Sequence, residues 1–141
     1  MRNLAPLLTA HYQEKATHFF QGMKLLADDL VSYKTSIGLL AVHSAISLND
    51  AILAGVTGKR GKGEDHATAA RELQRICNRL KISNTNGISH FSWLLGKKTA
   101  IAYGEQRTDE AILKLSIDKA ERFSNWAYMH FREILRVEKE S

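Results

Sequence analysis

One long segment of the chain is apolar on nearly every side of a helix, and it organises the predicted fold. Between Ser36 and Ala54 the sequence SIGLLAVHSAISLNDAILA places hydrophobic residues almost all round a helical wheel. A helix with this pattern is buried among other helices, because no broad face of it suits water. We therefore predict a central helix that begins near Ser32 and ends near Ala54, with other helices packed around it.

Four further segments have the rhythm of an amphipathic helix, in which apolar residues recur every three or four positions. These predicted helices cover roughly residues 4–28, 66–80, 89–103 and 109–135. The sequence SNTNG at 83–87 predicts a turn before the fourth helix, and Thr108 is the predicted cap of the last. With one proline and no long strand-like alternation, the chain is predicted to be an all-α, up-and-down bundle of four long helices and a shorter one.

The composition indicates a single globular domain over residues 1–141, with 44% hydrophobic and 25% charged residues. Cys77 is the one cysteine, so an internal disulfide is excluded and we expect a cytoplasmic protein. The first residues lack an apolar stretch long enough for a signal peptide. Polar residues within the central helix argue against a membrane span, and the net charge of +5 weakly favours anionic partners.

The polar residues of the central helix are not scattered. Ser36, His43, Ser47 and Asp50 follow one another at spacings of seven, four and three residues, which puts them on one face of a helix. A buried carboxylate or imidazole needs a partner, because an unpaired one costs several kcal/mol. This polar stripe therefore faces a partner helix, a wet cleft, a subunit interface, or solvent with local hydrogen bonds.

Basic residues are concentrated around the third helix. Arg71, Arg75 and Arg79 recur every four residues and form one line, which we call the arginine row. The glycine-rich loop before this helix adds further cations, namely Lys59, Arg60 and Lys62. Cations in this arrangement can contact successive phosphates of RNA or another polyanion. The alternative is a solvated face with its own ion pairs, for example to Glu72. The loop lacks the Gly-Lys-Ser/Thr ending of a Walker loop.

No motif predicts a metal or a cofactor. Carboxylate-bridged metals in bundles use Glu-x-x-His, and this pattern is absent from the sequence. Cys77 is expected to be a core residue rather than a nucleophile. Trp93 and Trp126 exceed what one apolar stripe per helix is expected to bury, and a symmetric homodimer would cover them.

Three parts of the chain together resemble the HEPN superfamily, small helical domains of bacterial toxin–antitoxin and defence systems. YQEKATHFFQGMKLL (Tyr12–Leu26) looks like the family's first helix, and LLAVHSAISLNDAILAG (Leu39–Gly55) like its central helix. KKTAIAYGE (Lys97–Glu105), with DEAILKLSIDKAERFSNW (Asp109–Trp126) after it, resembles the motif-bearing helix and the last helix. The resemblance implies a helical domain that often dimerises and that in many members cleaves RNA without a metal.

The family's nuclease signature is an arginine followed after four to six residues by a histidine, near the end of the penultimate helix. Lys98 and Tyr103 stand at these two positions. Lysine lacks the bidentate fork of arginine, and an ordinary tyrosine does not replace imidazole as an acid or base at neutral pH. The resemblance therefore implies a homodimeric module that binds RNA, a nucleotide or a protein partner. We expect no association with a membrane. The alternatives are a metal-independent, toxin-type ribonuclease with a degenerate Lys98/Tyr103 site and a structural helper of a neighbouring protein.

Overall fold

The computed structural model describes residues 5–59, 66–103 and 109–135. Within these ranges the chain forms five α-helices, a short 3-10 helix and no strand. The elements are α1 (Ala5–Leu26), a 3-10 turn (Ala27–Asp29), α2 (Lys34–Thr57), α3 (His66–Arg79), α4 (Asn86–Tyr103) and α5 (Glu110–His130). The predicted all-α class is confirmed, and each of the five predicted helices has its counterpart.

The second helix is the centre of the bundle, as its apolar pattern predicts. It packs against α1, α3, α4 and α5. Ile37, Val42 and Ile52 on α2 have no exposed surface. The helix is long and apolar enough to cross a membrane by length and composition, but 72% of its most apolar stretch is buried inside this bundle. Its hydrophobicity is accounted for by the packing of the core.

Two helix ends are fixed by local hydrogen bonds. Gly58 takes a left-handed conformation with φ 73° after α2 and donates its N–H to the Ala54 carbonyl at 2.8 Å. Glycine suits this position because it has no side chain to clash. At the start of α5 the Asp109 carboxylate accepts from the Ala111 N–H at 3.0 Å. The prediction that Thr108 is the cap is therefore wrong, and Asp109 fills this position.

The fourth helix begins at Asn86, three residues before the predicted start at Ser89. The reason is a tertiary contact with α5. Gly87 is buried against the indole ring of Trp126, and the Trp126 Nε1 donates to the Asn84 carbonyl at 2.8 Å. This contact draws the Asn-Gly pair into the first turn of a helix, although local preference marks it as a turn.

The C-terminal part of the core contains a run of stacked aromatic rings. Phe91 of α4 lies 5.0 Å from Phe123 of α5, and Phe123 lies 5.9 Å from Trp126, measured between ring centroids. Trp126 is only 6% exposed within the single chain. The expectation that Trp126 needs a second copy for its burial is therefore wrong. Helix α5 ends at His130, yet Phe131 and Leu135 beyond it remain buried in the core.

Candidate functional site

The polar stripe of α2 lies where α1 and α4 approach the same side of the central helix. The His43 ring lies 5.7 Å from the Phe19 ring of α1, between centroids. Lys98 of α4 is close enough for its charge to act on His43. The four stripe residues differ in exposure: Ser36 is exposed, His43 and Asp50 are half-buried, and Ser47 is buried. We call this surface the His43 groove.

The environment of His43 favours the neutral imidazole. Partial burial lowers its pKa, because the charged form loses hydration, and the Lys98 ammonium lowers the pKa further. At neutral pH the ring therefore carries one N–H donor and one free acceptor nitrogen. A neutral imidazole next to a lysine can accept a proton from a ligand while the ammonium binds an anion.

The carboxyl group of Asp50 is perturbed in the opposite direction. Burial raises its pKa to about 6, and the Lys15 ammonium of α1 opposes that rise. Among the described residues no cation lies within ion-pair distance of this carboxylate. His43 and Asp50 are separated by two helical turns, about 10 Å along α2, so they are not direct partners.

The structure brings together part of the predicted site. Lys98, which the sequence resemblance sets at the signature arginine, is near enough for its charge to act on His43 of the stripe. Tyr103 is the last residue of α4, and its side chain lies outside the described part of the chain. The pairing of Lys98 with Tyr103 thus stays a prediction, whereas the charge of Lys98 does act on the His43 imidazole.

Two residues of the groove were missed by sequence reasoning. Phe19 of α1 makes a ring contact with His43, and the charge of Lys15 of α1 acts on Asp50. Residues four apart lie on one face of a helix, and this spacing was the available signal that Lys15 and Phe19 belong together. The amphipathic pattern of α1 could not reveal which partner helix each residue faces.

The arginine row lies on the outer face of α3. Arg71, Arg75 and Arg79 are all exposed. Arg71 has a long hydrogen bond to the Thr68 hydroxyl at 3.5 Å, and no described carboxylate, including that of Glu72, lies within 4 Å of any of the three. The expected ion pair with Glu72 is therefore not formed. Lys59 is exposed just after α2, whereas Arg60 and Lys62 lie outside the described residues.

No protein-family model, curated protein or solved structure matches this chain. Its function must therefore be inferred from the chemistry of the His43 groove and the arginine row.

Proposed function

We propose that the chain is a HEPN-like helical module that binds single-stranded RNA through the arginine row of α3. The observation that carries this proposal is the row itself: exposed guanidinium groups, repeated at every helical turn, without a carboxylate partner among the described residues. The charged face of α5 differs, because it holds the ion pairs Lys114–Glu110 and Arg122–Asp118 between its own turns.

The dimensions of the row suit a phosphate chain. Successive arginines are about 6 Å apart along the helix, so the row spans about 12 Å. Each guanidinium presents a planar fork of donors that matches a phosphate. Because these arginines pair with no carboxylate in the described ranges, binding RNA would replace only water and counterions there. The proposal extends to Lys59, which follows the end of α2 and precedes α3 in the chain.

Binding of a fluorescein-labelled, single-stranded RNA of mixed sequence, followed by anisotropy at low salt, tests the proposal. We expect the R71E/R75E double variant to bind at least about tenfold more weakly than the parent chain. The matched control is K114E/R132E, which makes the same change in net charge at two exposed positions in and after α5. This control should retain affinity within about threefold, because α5 packs against α2 and α4 rather than alongside the row.

Two results would overturn the proposal. An equal loss in both double variants would mean that net charge alone attracts RNA. An absence of binding by the parent chain would favour a protein partner and the role of structural helper. All four substituted residues are exposed, so we expect both double variants to fold. Circular dichroism checks this before binding is compared.

A second candidate function is metal-independent cleavage of RNA at the His43 groove. The observation in its favour is the half-buried His43 imidazole, whose pKa is lowered by burial and by the charge of Lys98. The imidazole would accept the proton of a ribose 2′-hydroxyl as its oxygen attacks the adjacent phosphorus, and the bond from phosphorus to the 5′ oxygen would break. The 5′ oxygen would leave with a proton from water, a 2′,3′-cyclic phosphate would remain, and the Lys98 ammonium would stabilise the charge on the phosphate. The comparison of the parent chain with His43→Gln, in chelator, separates the two functions. Cleavage that disappears in His43→Gln while RNA affinity is kept would establish the enzyme.

A further inference from the structure

A cavity of about 280 Å³ opens between α1, α2 and α5, on the side of α2 away from the His43 groove. Its floor is formed by Ala45 and Leu48 of α2, and its walls carry the rings of Phe20 and Phe123. Helix α3, which carries the arginine row, contributes no residue to its lining. The cavity is thus separate from both surfaces described above.

Small side chains create this opening. Ala16, Ala45 and Ala120, one from each of the three helices, are buried at the point where the helices converge. Helices α1 and α5 both pack on α2 but scarcely pack on each other. Protein interiors are normally close-packed, and larger side chains at these three positions would fill the space. The alanines therefore define the volume of the cavity.

Side-chain bridges between α1 and α5 lie toward either end of the cavity. At one end the Gln13 Nε2 donates to the Tyr128 hydroxyl at 3.2 Å, and at the other Lys24 pairs with Glu121 at 2.6 Å. Residues 13 and 24 are about 16 Å apart along α1. A docked helix or strand would have to break both bridges, whereas a small molecule fits between them.

The lining selects an uncharged molecule. Among the described residues no carboxylate, ammonium, guanidinium or imidazole group lines the cavity. A charged ligand would lose hydration there without gaining a partner, which is strongly unfavourable. The polar groups in the lining are those of Thr17, Gln21, Ser124 and Tyr128, together with the Ser44 hydroxyl, which already donates to the Ala41 carbonyl at 2.8 Å.

We propose that this cavity is a binding site for an uncharged, ring-containing small molecule that carries one hydrogen-bonding group. Phe20 and Phe123 supply aromatic surface for the ring, and the hydroxyl of Thr17 or Ser124 pairs with the polar group. A cavity of about 150 Å³ accommodates benzene, so the larger volume here suits a fused pair of rings. This site is independent of RNA binding at α3.

The probe is 2-naphthol, titrated into the full chain by calorimetry, with naphthalene-2-sulfonate as its charged counterpart. We expect 2-naphthol to bind with a dissociation constant below about 1 mM and the sulfonate at least about tenfold more weakly. Ala45→Leu places a larger side chain on the cavity floor and should weaken 2-naphthol binding at least about tenfold. Ala111→Leu, at an exposed position of α5, is the matched control and should bind as the parent chain does.

Thr17→Leu at the rim is the second blocking variant, in case Ala45→Leu does not fold; Thr17 is only half-buried. It should weaken binding in the same direction. The proposal is overturned if the parent chain gives no saturable heat with 2-naphthol, or if the sulfonate binds equally well. It is also overturned if the blocking variants fold and still bind 2-naphthol like Ala111→Leu.

Discussion

The contact between Gly87 and Trp126 makes the sharpest prediction about the fold. An added Cβ at Gly87 would overlap the Cδ2, Cε3 and Cγ atoms of the Trp126 indole. The indole has little freedom to retreat, because Trp126 is 6% exposed, stacks on Phe123, and is held by its hydrogen bond to the Asn84 carbonyl. The substitution Gly87→Ala must therefore move the ring, the helix or both.

The magnitude follows from these contacts. Overpacking a filled core costs about 1–3 kcal/mol, and losing a buried hydrogen bond costs about 1 kcal/mol more. The better helix propensity of alanine offsets less than about 1 kcal/mol of this loss in the free energy of unfolding, since Gly87 lies in the first turn. We expect Gly87→Ala to lower the free energy of unfolding by about 2–3 kcal/mol.

The same helix offers a matched control. Gly96 is exposed, and an added Cβ there meets no atom within 4 Å. Gly96→Ala should therefore raise the free energy of unfolding by about 0.5–1 kcal/mol, through helix propensity alone. Urea unfolding followed by circular dichroism measures both variants, and an unchanged slope with denaturant shows that only stability has changed.

A double-mutant cycle tests the stated cause. Trp126→Leu removes the ring, so Gly87→Ala should cost at least about 1 kcal/mol less in that background than in the parent chain. If Gly87→Ala changes stability by less than about 0.5 kcal/mol, or if its cost is equal in the two backgrounds, the close contact does not limit position 87.

Three further predictions concern the polar stripe, the signature positions and assembly. Burial raises the pKa of Asp50 from 3.8 to about 6, so the charged carboxylate destabilises the folded chain. This destabilisation is complete above pH 6 and disappears as the pH falls below 3.8. Asp50→Asn should therefore raise the free energy of unfolding by about 1–2 kcal/mol at pH 7, after allowance for solvent screening, and hardly at all at pH 4. An equal increase at pH 7 and pH 4 would contradict this. With Tyr103 at the histidine position, RNA incubated with the protein and a chelator should stay intact at neutral pH, and turnover abolished by Tyr103→Phe would show the opposite. Light scattering at micromolar concentration should give about twice the 15.8 kDa chain mass, and a clean monomer would exclude the homodimer.

The helices were predictable because apolar periodicity reports burial directly. The pattern located the central helix and its four neighbours. It did not give the correct start of α4, because a tertiary contact determines that residue. SNTNG reads locally as a turn, yet packing of Gly87 under Trp126 makes its last residues helical. Likewise, Asp109 rather than Thr108 caps α5, a choice between adjacent residues that sequence preference does not resolve.

The functional surfaces were predictable only in part. Helical spacing predicted that His43 and Asp50 share one face, and it drew attention to the arginine row, whose members are exposed. It could not indicate that the charge of Lys98 on α4 acts on His43, because this depends on how separate helices pack. The cavity left no recognisable pattern, since Ala16, Ala45 and Ala120 read as ordinary core residues until three helices are placed together.

The salt dependence of RNA binding tests the central claim most directly. Each phosphate contact with a single strand contributes about −0.7 to the slope of log K against log salt concentration, so the three arginines predict a slope of about −2 or steeper. Neutral R71Q/R75Q removes two contacts and should make the slope shallower by about 1.4. A slope that is near zero in the parent chain, or unchanged in R71Q/R75Q, would contradict RNA binding by the arginine row.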